Sequence, residues 1–490
     1  MMSAGPRRMR RWTRWIARGA VPMAVIGASA AGAQTVVDEQ TDLRSMSRTS
    51  LSALQDLNGG AVQVATGDAG AGVGTVMSLS DAVELGYARS YAIAAADAGY
   101  DVARAQRSAA MATFLPQFSA RLATGIERST PASIVNSSTG KVVPVDTHRR
   151  QDLLVTIAQP VFDWSAIGGF ARTVHLRDVA AADARDARDQ EGLGIAQAYF
   201  ALIQAGLGYQ ILQDHYGRLQ ALQQWMKRRV AGGGASVADG QQVEGRVLAT
   251  QSLLEQQKAA REQAAIAFEQ LTGRRPGQVI IPAAMADGAP ASLDEALARA
   301  IQANPGLAGL EANERASRSE HAAALGGYLP RLSVEISKSG AENAGGDPGW
   351  RRDRRIMAVA SWSLSPLGGV ANAQIAAAKA RQYRYQRLDQ QRSVEQAVRV
   401  AFSALGTVRI RVETAQQELV ANSEVVRSFD EQFTAGRKSL LELLDAYERL
   451  YQARQTMLSA GLSGMQLYFQ TLRVMGELSP SLSRAARKER

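Results

Sequence analysis

Residues 328–337 read Tyr328-Leu-Pro-Arg-Leu-Ser-Val-Glu-Ile-Ser337, and residues 114–123 read Phe114-Leu-Pro-Gln-Phe-Ser-Ala-Arg-Leu-Ala123. Each passes from an aromatic–Leu–Pro step into a stretch of period two. Leu332, Val334 and Ile336 alternate with Arg331, Ser333, Glu335 and Ser337. Phe118, Ala120, Leu122, Thr124 and Ile126 alternate with Gln117, Ser119, Arg121, Ala123 and Gly125. That alternation specifies a strand with one apolar and one wet face. The two stretches lie 214 positions apart. The same offset carries Ser78-Leu79 onto Ser292-Leu293, Arg104 onto Arg318 and Ser119 onto Ser333 without a gap. The chain is therefore read as a duplicated unit of about 200 residues.

Working outward, Ser78-x-x-Asp81 and Ser292-x-x-Glu295 are capping boxes that open a helix in each half. Breaks are expected near Tyr91 and at Pro305. Polar loops, 129–149 and 340–353, lead to returning strands at 152–162 and 355–365, with Trp362 on the latter as an interface aromatic. No proline occurs between Pro160 and Pro276, nor between Pro366 and Pro480. Such runs, rich in Ala, Gln, Leu and Arg, predict long helices at about 166–230 and 371–433. About 60 residues at ~1.5 Å each reach ~90 Å, too long for a globular domain, so the helices project as coiled coils. They reverse at Ala231-Gly-Gly-Gly-Ala-Ser236 and Thr434-Ala-Gly-Arg-Lys-Ser439 and return as 237–272 and 440–475. A return helix stacked end to end on an opening helix matches one long neighbour, which predicts a uniform helical cylinder. Four strands cannot close alone, because membrane barrels need about eight and open edges are not viable in lipid. Three copies give twelve.

Composition removes several classes. The 490 residues contain no cysteine. Disulfides, thiolate metal sites, Cys nucleophiles and an N-terminal lipid-anchor cysteine are excluded. His148, His175, His215 and His321 are scattered, without metal-ligand spacing. The net charge of +10 is concentrated at the ends. Six arginines between Arg7 and Arg18, the apolar run Ala20–Ala28 and the small-residue run to Ala33 read as a signal peptide cut between Ala33 and Gln34. Without it the mature chain carries +4, so nucleic-acid binding has little electrostatic support. Gly192–Gln213 carries no formal charge, but Gln197 and Gln204 continue a seven-residue glutamine spacing from Gln190 and mark a packed helix. No other segment reads as a transmembrane helix, and β-barrel strands are too short to show in hydropathy. The expected layout is signal peptide 1–33, flexible segment 34–77, first repeat 78–276, linker 277–291, second repeat 292–476 and basic tail 477–490.

Over residues 78 to about 476 the sequence resembles the TolC family of outer-membrane channels. The resemblance rests on the Leu-Pro strand starts, Leu271-Thr272-Gly273, and Gly436-Arg-Lys-Ser-Leu-Leu-Glu-Leu-Leu-Asp445-Ala. It implies a mixed α+β membrane protein: a homotrimer whose 12-stranded β-barrel, four strands per chain, continues into a 12-helix coiled-coil α-barrel. It further implies an outer-membrane location with a long periplasmic extension, docking to a periplasmic adaptor and an inner-membrane ABC or other pump, and no cofactor or catalysis. The family's gate carries over to Asp239, Phe433 and Lys438. Phe433 lacks the family's tyrosine hydroxyl, and Lys438 lacks the planar fork of an arginine. Two pore acids fall on Glu442 and Asp445, giving six carboxylates per trimer. The turn glycines Gly232, Gly233 and Gly436 are the expected adaptor contacts.

Ser236-x-x-Asp239 and Ser439-x-x-Glu442 also read as capping boxes, which need no pore; Asp445 has no such role. A periplasmic coiled-coil adaptor would carry one hairpin rather than two. An enzyme would need a nucleophile–base pair, metal cluster or cofactor loop. The cargo is either a protein, as in type I toxin secretion of the RTX kind, or small molecules and drugs.

Overall fold

A computed structural model describes residues 43–57, 61–63, 76–128, 133–136, 138–144, 147–282, 290–347, 349–363 and 366–488. The expected signal peptide and its Ala33–Gln34 junction lie outside the described residues.

In chain order the elements are α1 (Leu43–Asp56), β1 (Ala61–Gln63), β2 (Val76–Met77), α2 (Leu79–Arg89), α3 (Tyr91–Ala112), β3 (Gln117–Glu127), β4 (Ser133–Val135), β5 (Val142–Pro144), β6 (His148–Phe162), α4 (Trp164–Ala231) and α5 (Val237–Thr272). Then follow β7 (Gln278–Ile280), α6 (Leu293–Ala303), α7 (Pro305–Gly326), β8 (Arg331–Glu342), β9 (Trp350–Ser361), α8 (Pro366–Thr434), α9 (Leu440–Met475) and α10 (Leu478–Lys488). The duplication holds in three dimensions. The offset of 214 superposes both ends of α2 on α6 and of α3 on α7. The breaks at Ser90 and Asn304 are helix starts: each side chain accepts a hydrogen bond from the residue three further on, Ile93 and Leu307. The box at Ser292 is incomplete, since the Glu295 carboxylate takes the Ala291 amide and not that of Ser292.

The long helices run 68 and 69 residues, or ~100 Å each. The shorter helices stack as pairs beside them. Asn304, at the start of α7, donates its side-chain amide to the Val474 carbonyl at 2.8 Å, near the end of α9. Gly476, just after α9, sits so close that an added Cβ would come within 2.5 Å of the Ala303 carbonyl oxygen. Hence α9 and α7 act as one interrupted helix lying between α4 and α8. Nothing longer than a glycine fits at that junction.

β3, β6, β8 and β9 form an antiparallel sheet in that order. Its register puts Phe118, Ile157, Ile336 and Ile356 in one row across all four strands. Directly opposed residues share a face, so this face is apolar along that row, while Arg149, Lys338, Glu342, Arg352 and Arg354 lie on it nearer the loop end. The other carries Arg121, Glu127, Arg150, Asp152, Glu335 and Asp353. The consecutive Leu153, Leu154 and Val155 divide between the faces: Leu153 and Val155 join the apolar side, and Leu154 opposes Arg121. β6 begins four residues earlier than the alternation suggests, and the loop before it contains the β4–β5 hairpin. Trp362 lies just beyond β9, its indole donating to the Tyr328 carbonyl at 3.1 Å. No described helix is long and apolar enough to cross a membrane.

One expectation needs correction, and two other segments hold elements that the sequence pattern did not announce. Within the supposedly flexible segment 34–77, α1 buries Leu43, Met46, Leu51 and Leu54 against the helices. Those positions make a helical stripe that the surrounding Ser, Thr and Gly obscure. The linker 277–291 contributes β7, the central strand of a small sheet ordered β1-β7-β2. The Tyr199 hydroxyl, from α4, lies 3.0 Å from the Met77 carbonyl oxygen and binds that of Ile280 as well. The basic tail 477–490 holds α10, which buries Leu478 and Leu482.

Asp189 of α4 is 2% exposed and accepts the Ser479 amide at 2.8 Å, so it caps α10 from another helix. Burial pushes its pKa upward, and the Ser479 hydrogen bond only partly opposes this. A raised carboxyl pKa contributes stability at low pH that is lost as pH rises through the folded value. At neutral pH the buried charge is therefore a burden and only the acceptor is useful. Asp189→Asn should hold or raise the midpoint of thermal unfolding at pH 7, whereas Asp189→Ala should cost about 1 kcal/mol. The reverse order would overturn the capping role.

Candidate functional site

The two helical hairpins end in turns of the same geometry. At the first, the Gly233 amide donates to the Val230 carbonyl (3.0 Å) and Gly234 to Arg229 (2.8 Å). At the second, Gly436 donates to Phe433 (3.0 Å) and Arg437 to Gln432 (2.8 Å). This paired closure requires a left-handed residue, and Gly233 (φ 72°) and Gly436 (φ 74°) supply it. Gly232, at φ −85°, is in a conformation open to any residue. Ser236 with Asp239, and Ser439 with Glu442, then close full capping boxes that start α5 and α9.

Both hairpin tips share one core. Leu222 and Met226 of α4, Val243 of α5, Val426 of α8 and Leu443 and Tyr447 of α9 are buried together. Phe433 joins its edge, its ring 5.0 Å from that of Trp225. The residue that lacks the family's tyrosine hydroxyl thus bridges the two hairpins by aromatic packing. A hydroxyl–carboxylate bond exists nearby on other residues: Tyr447 donates to Asp430, linking α9 to α8. Burial, followed by the Asp430 carboxylate, pushes the Tyr447 pKa well up, so the proton stays on the phenol.

The predicted gate residues do not converge within one chain. Lys438 Nζ lies 2.7 Å from Glu442 Oε1 and 4.4 Å from the Phe429 ring centre, not on Asp239. Asp239 is half-buried and its carboxylate accepts the Ser236 amide at 3.4 Å. Glu442 accepts from Lys438, from the Ser439 amide (3.0 Å) and from the Ser439 hydroxyl (2.8 Å). The Lys438 bond is the chief reason its pKa falls to about 2. Asp445 pairs with Arg449 at 2.9 Å. Each acid expected to stand bare at a constriction therefore carries its own cation. Both acids remain largely exposed, on one stripe of α9.

Trp225, Arg449 and the Asp430–Tyr447 pair escaped the sequence reading. Arg449 was findable, four residues after Asp445 on a predicted helix. The others pair across different helices, and no local spacing announces them.

The family profile described as "Outer membrane efflux protein" matches residues 83–274 and 296–467, well over half of the chain and one stretch per repeat. Among solved structures the chain is similar to the channel protein CusC, at 17% identity over 84% of this chain and 96% of that one, with a TM-score of 0.67. It is similar to the outer-membrane protein VceC of Vibrio cholerae, at 13% identity over 81% and 96% (TM-score 0.67). It is also similar to the MtrE outer membrane channel of Neisseria gonorrhoeae in its open state, at 17% identity over 82% and 89% (TM-score 0.64). No curated protein matches it in sequence. Duplicated hairpins with glycine turns, a sheet with one apolar face and a profile match to both halves agree: the chain belongs to the outer membrane efflux protein family, a family of channels and not of enzymes.

Proposed function

We propose that this protein is a passive exit duct, a homotrimer whose three four-stranded sheets close a 12-stranded barrel above a 12-helix periplasmic tunnel. The observation that carries this reading is the sheet itself. β3 and β9 are its end strands, each paired on one side only, and one face is apolar. Unpaired strand edges are not tolerated in lipid, so closure requires further copies. The loop end of the sheet faces the exterior and the glycine turns at 231–236 and 434–439 lie deep in the periplasm, where they meet an adaptor protein fed by an ABC or other inner-membrane pump. The adaptor contacts centre on Gly233 and Gly436, with Gly232 beside them. In the trimer Asp239 and Lys438 meet between neighbouring chains. Closure within a chain rests on the Phe433–Trp225 packing.

For cargo, the reading is an exported protein of the type I, RTX-toxin kind; the absence of cysteine sets the chain apart from lipid-anchored channels. The family's description as efflux proteins favours small molecules as a second reading. A deletion strain separates the two: loss of one secreted protein supports the first, and drug hypersensitivity with an unchanged secretome the second.

Native mass spectrometry in mild detergent should find trimers. A tag at Gly140, in the turn between β4 and β5, should be reached by antibody on intact cells, and one at Gly233 should not. A mainly monomeric protein, or labelling at Gly233 on intact cells, would overturn the architecture.

A further inference from the structure

The apolar face of the four-stranded sheet changes character on its β8–β9 half. One step outward from the Ile336–Ile356 pair, the register sets Lys338 directly opposite Arg354. One step further, Arg352 stands opposite Gly340. These alternate positions lie on the same face as the isoleucines. All three cations are exposed, and among the described residues no ion pair joins any of them to an acid. The same sheet does pair cations elsewhere. On the opposite face Arg150 holds Glu127 at 2.9 Å and Asp152 at 3.0 Å.

Like charges directly opposed across two strands destabilise a sheet. Here the Lys338–Arg354 pair is reinforced by Arg352 two residues along; Glu342, one step further out on the same face and opposite Trp350, forms no ion pair with any of the three. Trp350 completes the patch: its ring lies over Gly340, where an added Cβ would come within 3.2 Å. Trp350 stands outward of the cations, so they lie between the isoleucine belt and an indole of the kind that sits at membrane interfaces. The next strand inward, β6, offers Val155 and Leu153 opposite Lys338 and Gly340, so the cations border an apolar floor.

We propose that Lys338, Arg352 and Arg354 bind the phosphate groups of an outer-leaflet glycolipid, whose acyl chains lie on the row of Ile336 and Ile356. The inference rests on the barrel reading above, with the loop end outward and the apolar face toward lipid. A phosphate offers several acceptor oxygens, enough to relieve the opposed pair and to take charge-assisted hydrogen bonds from all three side chains. Long cationic side chains at the belt's upper rim can reach headgroups while their stems stay on apolar surface. A free phosphate ion would use the cations but gain nothing from the belt.

The test uses the full-length detergent-solubilised trimer and the triple variant K338Q/R352Q/R354Q. The probes are bis-phosphorylated lipid A, its dephosphorylated form, and inorganic phosphate. Lipid A should raise the thermal midpoint of the wild type and appear as a bound adduct in native mass spectra. Adduct formation should fall at least about tenfold in the triple variant and with the dephosphorylated lipid, because the charge-assisted contacts are lost. Without lipid the triple variant should be as stable as the wild type or more so, since the opposed charges are gone. An equal shift with inorganic phosphate, or equal adducts for wild type and variant, would overturn the lipid assignment. Planar-bilayer conductance keeps the two readings apart. An unaltered pore in a variant that still binds lipid A defeats only this inference. A changed conductance would put the cations on the lumen side and defeat it as well. Failure of the wild type to form pores at all defeats the barrel reading beneath it.

Discussion

Replacing Gly464 by leucine is expected to drive α1 out of its seat. An added Cβ at Gly464 would fall 1.9 Å from the Ser50 Oγ and 2.8 Å from the Ser50 Cβ, with the Met46 sulfur at 3.1 Å. The hydroxyl can rotate away, but the Cβ belongs to the helix wall, so α1 as a whole must move. Overpacking a tight contact costs about 1–3 kcal/mol. The remaining leucine atoms would displace Met46, which is fully buried. Detachment would also uncover Leu43, Leu51 and Leu54, each worth about 1.5–3 kcal/mol as an upper estimate. Hydrogen exchange over 43–56 should rise sharply, and trypsin should cut at the exposed Arg48. Gly245 is the control: it sits within α5 with nothing within 4 Å of an added Cβ. Gly245→Ala should stabilise by about 0.5–1 kcal/mol. Unchanged protection of α1 in G464L would refute the seat.

The second large effect concerns the hairpin tips. Glu442 and Asp445 are matched by Lys438 and Arg449. If this stripe lines the tunnel mouth, the wild type should show only a mild cation preference. Removing the cations with K438Q/R449Q strips two positive charges per chain and exposes the carboxylates. Cation preference in planar bilayers should then rise several-fold and block by multivalent cations about tenfold, because clustered charge concentrates counter-ions in a narrow bore. E442Q/D445N should move both readings the opposite way. The pH dependence has a definite sign. A carboxyl depressed from 4.5 to about 2 contributes stability that is intact above about pH 4.5 and lost as pH falls toward 2. Wild-type selectivity should therefore be flat from pH 8 to 5. In the K438Q/R449Q channel the main cause of that depression is gone, and cation preference should decline already between about pH 5 and 3. Trimers whose selectivity is indifferent to both double variants would place these residues on an outer surface.

The local elements are legible in the sequence because their causes are local. Leu-Pro steps followed by period-two alternation specify strands wherever they occur, and β3 and β8 begin one residue after Pro116 and Pro330. The return helices run Val237–Thr272 and Leu440–Met475, the bounds expected from the capping boxes and the terminal glycines. The positive-φ glycines at both tips follow from the same short-range rule. Duplication was legible as well, since a gapless offset survives in sequence when each half keeps the same backbone.

The tertiary structure alone decided whatever depends on residues far apart in the chain. α1 is a weak helix by composition, and becomes one by burying a stripe against α9, where Gly461 and Gly464 let it approach. β7 is three residues long and exists because β1 and β2 flank it. At the tips, the sequence named acids and a cation but not their partners. A side chain four residues away along the chain, Lys438 just before α9 or Arg449 within it, reaches Glu442 or Asp445 at little conformational cost, and a turn on another hairpin does not. Asp430 meets Tyr447 only once α8 and α9 close their hairpin, and Trp225 meets Phe433 only after two hairpins have packed. Helix, strand and turn were thus determined by neighbours along the chain. The seat of α1, the charge balance of the tips and the unpaired cations at the sheet's outer rim were set by packing and register, which join residues that sequence keeps apart.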